Sequence, residues 1–343
     1  MELTSTKIYQ GENYLFFNIW VTLDCNYQCS YCYETEKKHC YMEVAEAQRL
    51  VQFILEMCNE KEISVLWLNF HGGEPLLNEK IIKYIVEEVD RQEDIKLYTS
   101  MTTNCSIYSN EINKYISELT VSIDGVKESH DRNRKRKTGE GTYETSIVNA
   151  MKYLEDRGTV RLRMVVSPNN VNELFVNVKH LYELGFRMII PGIDYYDNGW
   201  NEALIEDLYQ QLVKIREFRV KCNTDNFFVG ILDEEITEKG KCVVGRDGYQ
   251  ITPEGDLYPC SLIVGQEEYC IGNVFDGIDT IKVKNLNTLF CKVIDTCIDC
   301  TNYKYCVSGR CLLLNKQLTN DYLIPSPVVC AVERIKLRLQ KLI

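Results

Sequence analysis

The chain has 343 residues, 45% of them apolar and 26% charged, the balance of a globular protein long enough for one large or two medium domains. Its 39 basic residues against 50 acidic give a net charge of −11, which disfavours general nucleic-acid binding. Residues 1–14 lack a charged segment followed by an apolar one, and no apolar run approaches about 18 residues, so neither a secretory signal nor a membrane span is expected and the chain reads as cytosolic.

Along the chain, short runs rich in β-formers fall at 15–22, 63–70, 95–102, 118–123, 160–166 and 186–190. Helical periodicity lies between and after them, at 43–58, 79–90, 108–117, 142–156, 171–184 and 201–220. In the first of these helices Val44, Ala47, Val51, Ile54 and Cys58 fall on one face. Strand–helix alternation implies an α/β fold with a parallel sheet. Six units are too few for the usual closed eight-unit barrel, so an open, partial (β/α)6 barrel is expected over residues 1–200. A helical bridge is expected over 201–240. From 241 to 343 the periodicity fades and cysteines concentrate, which suggests a loop-rich domain held together by metal rather than by a large apolar core.

Sixteen cysteines in a reducing compartment point to metal or cluster ligation rather than disulfides. Cys25, Cys29 and Cys32 are spaced C-x3-C-x2-C just after the first strand. A zinc knuckle would need a fourth ligand there, such as His39 or Cys40. A four-iron cubane held by three thiolates keeps one iron open for a small chelating ligand. The other distinctive motifs also follow strands, where barrels of this kind place their chemistry: HGGEP at 71–75, TTN at 102–104 and SIDG at 122–125. Gly72 and Gly73 let backbone approach a ligand closely. The four histidines form no pattern and read as structural.

The triplet with its aromatic, Tyr31, before the last cysteine resembles the signature of radical S-adenosylmethionine (SAM) enzymes. That resemblance implies a [4Fe–4S] cluster on Cys25, Cys29 and Cys32, with SAM on the open iron and reductive cleavage to a 5′-deoxyadenosyl radical. It places Tyr31 against the adenine, Glu74 on the methionine ammonium, Ser122 toward SAM and Arg134 on the SAM carboxylate. Residues near Ile190–Gly192 would give backbone contacts to adenine.

A second set of cysteines extends the resemblance over nearly the whole chain. Cys242, x12-Gly-x4, Cys260, then Cys297, Cys300, Cys306, Cys311 and Cys330 are similar to the SPASM extension of these enzymes, which carries two auxiliary clusters. Relatives usually have x3 where this chain has four residues, Val307–Arg310. The resemblance implies one auxiliary cluster on Cys297, Cys300, Cys306 and Cys330 and another on Cys242, Cys260 and Cys311, three [4Fe–4S] clusters in all. The second auxiliary cluster keeps an open iron unless Cys222 or Cys270 fills it. Cys58, on an apolar helical face, reads as core.

SPASM relatives mostly modify peptides or proteins. In sulfatase-maturing relatives an aspartate directly follows the Gly-x4-Cys cysteine; here that residue is Ser261, a poor base. The expected activity is therefore peptide maturation through a thioether or related cross-link, with sulfatase maturation (formylglycine formation) as the alternative and a non-catalytic iron–sulfur or zinc scaffold as the non-enzyme reading. A reductant such as flavodoxin or ferredoxin is implied. About fourteen residues precede the first strand, too few for a leader-binding domain of roughly eighty residues, so a separate leader-binding protein is a possible partner.

Overall fold

The computed structural model describes residues 13–34, 37–222, 226–240, 242–246 and 248–340. Its strands, in chain order, are β1 Tyr14–Trp20, β2 Tyr27–Cys29, β3 Val65–His71, β4 Lys96–Thr103, β5 Glu118–Ser122, β6 Arg134–Arg136, β7 Arg161–Val166, β8 Met188–Ile193, β9 Phe228–Val229, β10 Gly248–Ile251, β11 Asp256–Tyr258, β12 Gly272–Asn273 and β13 Gly277–Ile278. All six strands expected from the sequence are present, within a residue or a few of their anticipated ends. The chain forms two compact units. One comprises Met1–Tyr27, Tyr33–Thr120 and Val243–Asn287; the other comprises Gln28–Cys32, Val121–Cys242 and Thr288–Ile343.

In the first unit the strand order is β13-β12-β11-β10-β1-β3-β4. β10, β1, β3 and β4 run parallel, and β11, β12 and β13 add antiparallel strands at the β10 side. One face of the parallel strands is apolar and fully buried: Leu15, Phe17 and Ile19 on β1, Leu66, Leu68 and Phe70 on β3, Met101 on β4, and Tyr249 and Ile251 on β10. Burying each such side chain contributes roughly 1.5–3 kcal/mol. The helix Glu79–Asp90 buries Ile81, Ile82, Ile85, Val86 and Val89, an i, i+1, i+4, i+5, i+8 stripe of helical period.

The helix Val44–Glu60 buries Ala47, Leu50, Val51, Phe53, Ile54, Met57 and Cys58. Val44 is 53% exposed, so the expected apolar face begins one turn later, at Ala47. The helix anticipated at 108–117 is a single turn, Asn110–Asn113, capped by the Ser109 hydroxyl, which accepts the Ile112 N–H at 3.2 Å. Ile112 and Ile116 are both buried, and that spacing is what imitated a longer helix.

In the second unit β7, β8 and β9 pair in parallel. Its helices are Tyr143–Arg157, Leu174–Glu183, Glu202–Cys222 and Pro327–Gln340, with cysteine-bearing turns between residues 288 and 311. No helix among the described residues is long and apolar enough to cross a membrane.

Candidate functional site

In the first unit, backbone crowding around Cys25 explains the two glycines. Gly73 donates its N–H to Thr22 O at 3.1 Å, and Glu74 donates to Asp24 O at 2.9 Å. A Cβ on Gly72, whose φ is +130°, would lie 2.2 Å from the Thr22 carbonyl oxygen; one on Gly73 would lie 2.0 Å from that of Asp24. The close approach these glycines permit is to the chain's own cysteine loop.

The Glu74 side chain is fully buried and accepts from Thr103 Oγ1 at 2.7 Å, the Asn104 N–H at 2.7 Å and the Leu76 N–H at 3.2 Å. Burial pushes its carboxyl up to about 7, against the lowering effect of these three donors. Both Glu74 oxygens are thus engaged by the chain itself, joining the loops after β3 and β4. Asn104, from the TTN motif, completes the link: its Nδ2 lies 3.6 Å from Cys25 Sγ and 3.0 Å from Asn26 Oδ1. The Tyr27 N–H lies 3.4 Å from the same sulfur. Donors aimed at a sulfur favour its thiolate, the form that binds iron.

His39 and Cys40, the alternative zinc ligands, are occupied elsewhere. His39 Nδ1 lies 3.1 Å from Asp24 Oδ2, and the Cys40 thiol donates to Glu254 Oε1 at 3.2 Å. Among the described residues no three His, Cys, Asp or Glu side chains converge on one metal ion. A cubane takes each thiolate on a different iron, so an all-cysteine triplet fits a cluster by its chemistry.

In the second unit, Gln28–Cys32 docks on the segment that follows β5. The Ser30 N–H donates to Asn133 O at 2.9 Å, and its hydroxyl bonds Asn133 Oδ1 at 3.0 Å. The Tyr31 hydroxyl donates to Asp124 Oδ2 at 2.5 Å. Asp124 has no solvent exposure; its Oδ1 also accepts from Arg134 Nη2 at 3.2 Å and from the Val165 N–H at 3.1 Å. Arg134 Nε lies 3.1 Å from Asp124 Oδ2 as an ion pair, without hydrogen-bond alignment.

The guanidinium carbon is 5.3 Å from the Tyr31 ring centre, within cation–π range. Burial works against the Arg134 charge, but Asp124 outweighs it and holds the guanidinium protonated. Burial raises the Tyr31 phenol well above its ordinary value, so it stays a donor. Ser122 is buried at the end of β5. His130 fills a structural role: Nδ1 accepts the Asp124 N–H at 3.3 Å, Nε2 meets Thr142 Oγ1 at 3.0 Å, and burial lowers its pKa to about 4.

Tyr31, Ser122 and Arg134 therefore share the second unit, while Gly72, Gly73 and Glu74 surround Cys25 in the first. Arg134 meets Asp124 through its Nε–Nη2 edge, so a ligand carboxylate would meet a guanidinium already paired. Asp124 itself was missed from sequence; its signal was the acid inside SIDG, where only the serine was singled out.

None of the sixteen cysteines is joined in a disulfide. Cys297, Cys300, Cys306 and Cys330 lie in the second unit. Burial raises the Cys297 thiol, with Cys330 and Cys300 adding to it; burial raises Cys306, with Glu333 and Cys330 adding. Cys311 precedes the helix Leu312–Thr319, and burial raises its thiol, against a lowering effect of the Leu314 and Leu313 backbone. Cys242 feels Cys311. Cys260 and Cys270 belong to the first unit, and the Cys270 thiol donates to Gly272 O at 3.2 Å. Cys58 is buried, and burial lifts its thiol to about 11, in keeping with a core role.

A family model described as a 4Fe-4S single cluster domain matches residues 11–148. Among curated relatives, the radical SAM cyclopropyl synthase TigE of Paramaledivibacter caminithermalis is 22% identical, covering 89% of this chain and 69% of that protein. A serine-type anaerobic sulfatase-maturating enzyme of Bacteroides thetaiotaomicron is 24% identical over 84% and 80%. Among solved structures, native anSMEcpe with bound AdoMet superposes with a TM-score of 0.78 at 20% identity, covering 95% of this chain and 96% of that one. Streptococcus suis SuiB bound to precursor peptide SuiA gives 0.66 at 15% identity, covering 92% and 75%. The fold is that of these structures, an α/β fold with a parallel-strand sheet. The resemblance to radical SAM maturases read from the sequence is borne out by these likenesses.

Proposed function

We propose that the chain is a radical SAM enzyme that matures a peptide by forming a thioether or related cross-link. The observation that carries this reading is the clamp on the cysteine loop: Gln28–Cys32 is held by Asp124 and Asn133, while Cys25 sits among Asn104, Glu74 and the Gly-Gly turn. Such a preset loop suits a resident cluster. Cys25, Cys29 and Cys32 would hold it, with Tyr31, Gly72, Gly73, Glu74, Ser122 and Arg134 lining the SAM site.

Cys297, Cys300, Cys306 and Cys330 would hold one auxiliary cluster, and Cys242, Cys260 and Cys311 the other. Residues 1–200 would form the SAM-binding barrel, 201–240 a bridge and 241–343 the auxiliary-cluster domain. When bound, cluster and SAM supply a 5′-deoxyadenosyl radical for hydrogen abstraction from the substrate. The protein's own part is to bind and orient SAM and peptide and to exclude water. A reductant of the flavodoxin or ferredoxin class, a separate leader-binding protein and a cytoplasmic setting complete the reading.

Sulfatase maturation is the second reading, favoured by the fold likeness to anSMEcpe. Ser261, at the start of the 3-10 turn Ser261–Ile263, argues against it as a base. The test is a search of the neighbouring genes for a short cysteine-rich open reading frame, then anaerobic reconstitution and incubation of its peptide with SAM and reductant. A product lighter by two hydrogens and resistant to both reduction and thiol alkylation supports cross-linking. A formylglycine aldehyde on a sulfatase peptide would replace it with the second reading.

A further inference from the structure

One register row of the first unit is polar across four parallel strands. Gln250 of β10 pairs in register with Asn18 of β1, Asn18 with Asn69 of β3, and Asn69 with Ser100 of β4. Their side chains are joined end to end. Trp67 Nε1 donates to Ser100 Oγ at 2.7 Å, and Ser100 Oγ donates to Asn69 Oδ1 at 2.7 Å. Asn69 Nδ2 then donates to Asn18 Oδ1 at 2.6 Å, and Asn18 Nδ2 to Gln250 Oε1 at 2.8 Å.

The direction of this chain is not arbitrary. An indole N–H is a donor only, so Ser100 must accept from Trp67 and pass its own proton onward. Each amide is then oriented by the one before it. The last member, Gln250, has its oxygen consumed by Asn18, and its carboxamide nitrogen has no protein partner among the described residues.

The opposite face of the same strands is the apolar core, so the row lies on the other face, with Asn18, Ser100 and Gln250 buried and Asn69 half-buried. One residue pair along, Trp20 and His71 sit in register with ring centres 5.0 Å apart. On the other side Phe16 and Trp67 meet at 5.2 Å, edge to face. A surface of aromatic rings with one oriented amide donor suits a neutral amide-bearing ligand. A carboxylate is disfavoured, because the Glu34 carboxylate already stands at the Trp20–His71 pair, accepting from Trp20 Nε1 at 2.9 Å and lying 3.9 Å from His71 Nδ1.

We propose that this row is a polarised hydrogen-bond chain that fixes Gln250 with its N–H group outward, as a specificity-determining donor to a main-chain carbonyl of the peptide substrate. The proposal rests on the peptide-maturase reading and adds the residue that grips the peptide backbone.

Two substitutions separate this from a purely structural role. Gln250→Glu keeps the acceptor for Asn18 and removes the outward donor. Asn18→Asp accepts from Asn69 and from a reversed Gln250 amide, so it turns the Gln250 oxygen outward without touching the substrate contact itself. Both are expected to raise the KM for the precursor peptide about 3- to 10-fold, the loss of one neutral hydrogen bond, with kcat at saturating peptide and SAM affinity unchanged. Trp67→Phe removes the group that sets direction and is expected to give a smaller rise in KM. Melting temperatures check that each variant folds, and either substitution alone is decisive if the other does not fold. A wild type that leaves the peptide unmodified overturns the maturase reading and this proposal with it. A wild type that modifies the peptide while folded Gln250→Glu or Asn18→Asp keeps its KM overturns the donor assignment alone.

Discussion

Asp124 is a carboxylate with no solvent contact, and it anchors both the aromatic of the cysteine loop and the arginine expected at SAM. Removing a partner from such a pair leaves the other charge buried and uncompensated, at a cost of about 3–5 kcal/mol. Asp124→Ala is therefore expected to lower unfolding stability by that amount in chemical denaturation. Asp124→Asn keeps the shape and one acceptor oxygen but removes the charge, so it should lose less stability than the alanine variant and still loosen Tyr31 and Arg134, weakening SAM in a binding titration. Unchanged stability in the alanine variant would contradict the clamp.

Glu74 makes a pH prediction. Its folded carboxyl is raised to about 7, above the value of an unfolded chain, so the folded state holds the extra proton. Stability from this group is full below the unfolded value and falls as pH rises toward about 7, by roughly 3 kcal/mol at most. Glu74→Gln is expected to flatten the decline between pH 5 and pH 8 seen by denaturant titration; a slope equal to wild type would exclude Glu74 as its source. The family resemblance singled out Glu74 as a contact to the methionine ammonium. It did not reveal that Thr103 and Asn104, some thirty residues on, already occupy its oxygens.

At the scale of elements, the Gly72–Gly73 turn and the helix Glu79–Asp90 give contrasting predictions. Gly73→Ala would drive a methyl group to 2.0 Å from a backbone oxygen, which no rotamer relieves. The loop carrying Cys25 must then move, so iron incorporation on reconstitution is expected to fall. Ile85→Ala, in a fully buried stripe, should cost about 2–5 kcal/mol and leave iron incorporation intact in the protein that folds. Equal iron loading in wild type and Gly73→Ala would refute the crowding argument.

The six β/α units were legible because period-2 and period-3.6 patterns are local. The one-turn Asn110–Asn113 element was overextended because two isoleucines four apart mimic a longer helix. The short strands from β9 to β13 carried too few residues for a pattern, and the Gln250–Asn18–Asn69–Ser100 row exists only through registers between strands distant in sequence. The cysteine spacings are local and so could be read from the sequence, whereas which cysteines share a cluster is a matter of tertiary placement.

For the whole molecule, iron content is the broadest check on the proposed ligand sets. Three cubanes predict about twelve irons per chain after anaerobic reconstitution. Substituting Cys25, Cys29 and Cys32 together by Ala should remove about a third of them, because the other ligands are distant in sequence. SAM cleavage should vanish in that variant. Loss of all iron instead would mean that the three sets are not independent.

The parallel pairing of β10 with β1 also has a consequence for biosynthesis. At ribosomal speeds of about 5–20 residues per second, β1 waits roughly ten to fifty seconds for a neighbour made more than two hundred residues later. During that interval the nascent chain presents an unpaired edge that invites intermolecular pairing. A nascent chain arrested before Gly248 should therefore recruit chaperones or precipitate, whereas one arrested beyond Ile278 should not.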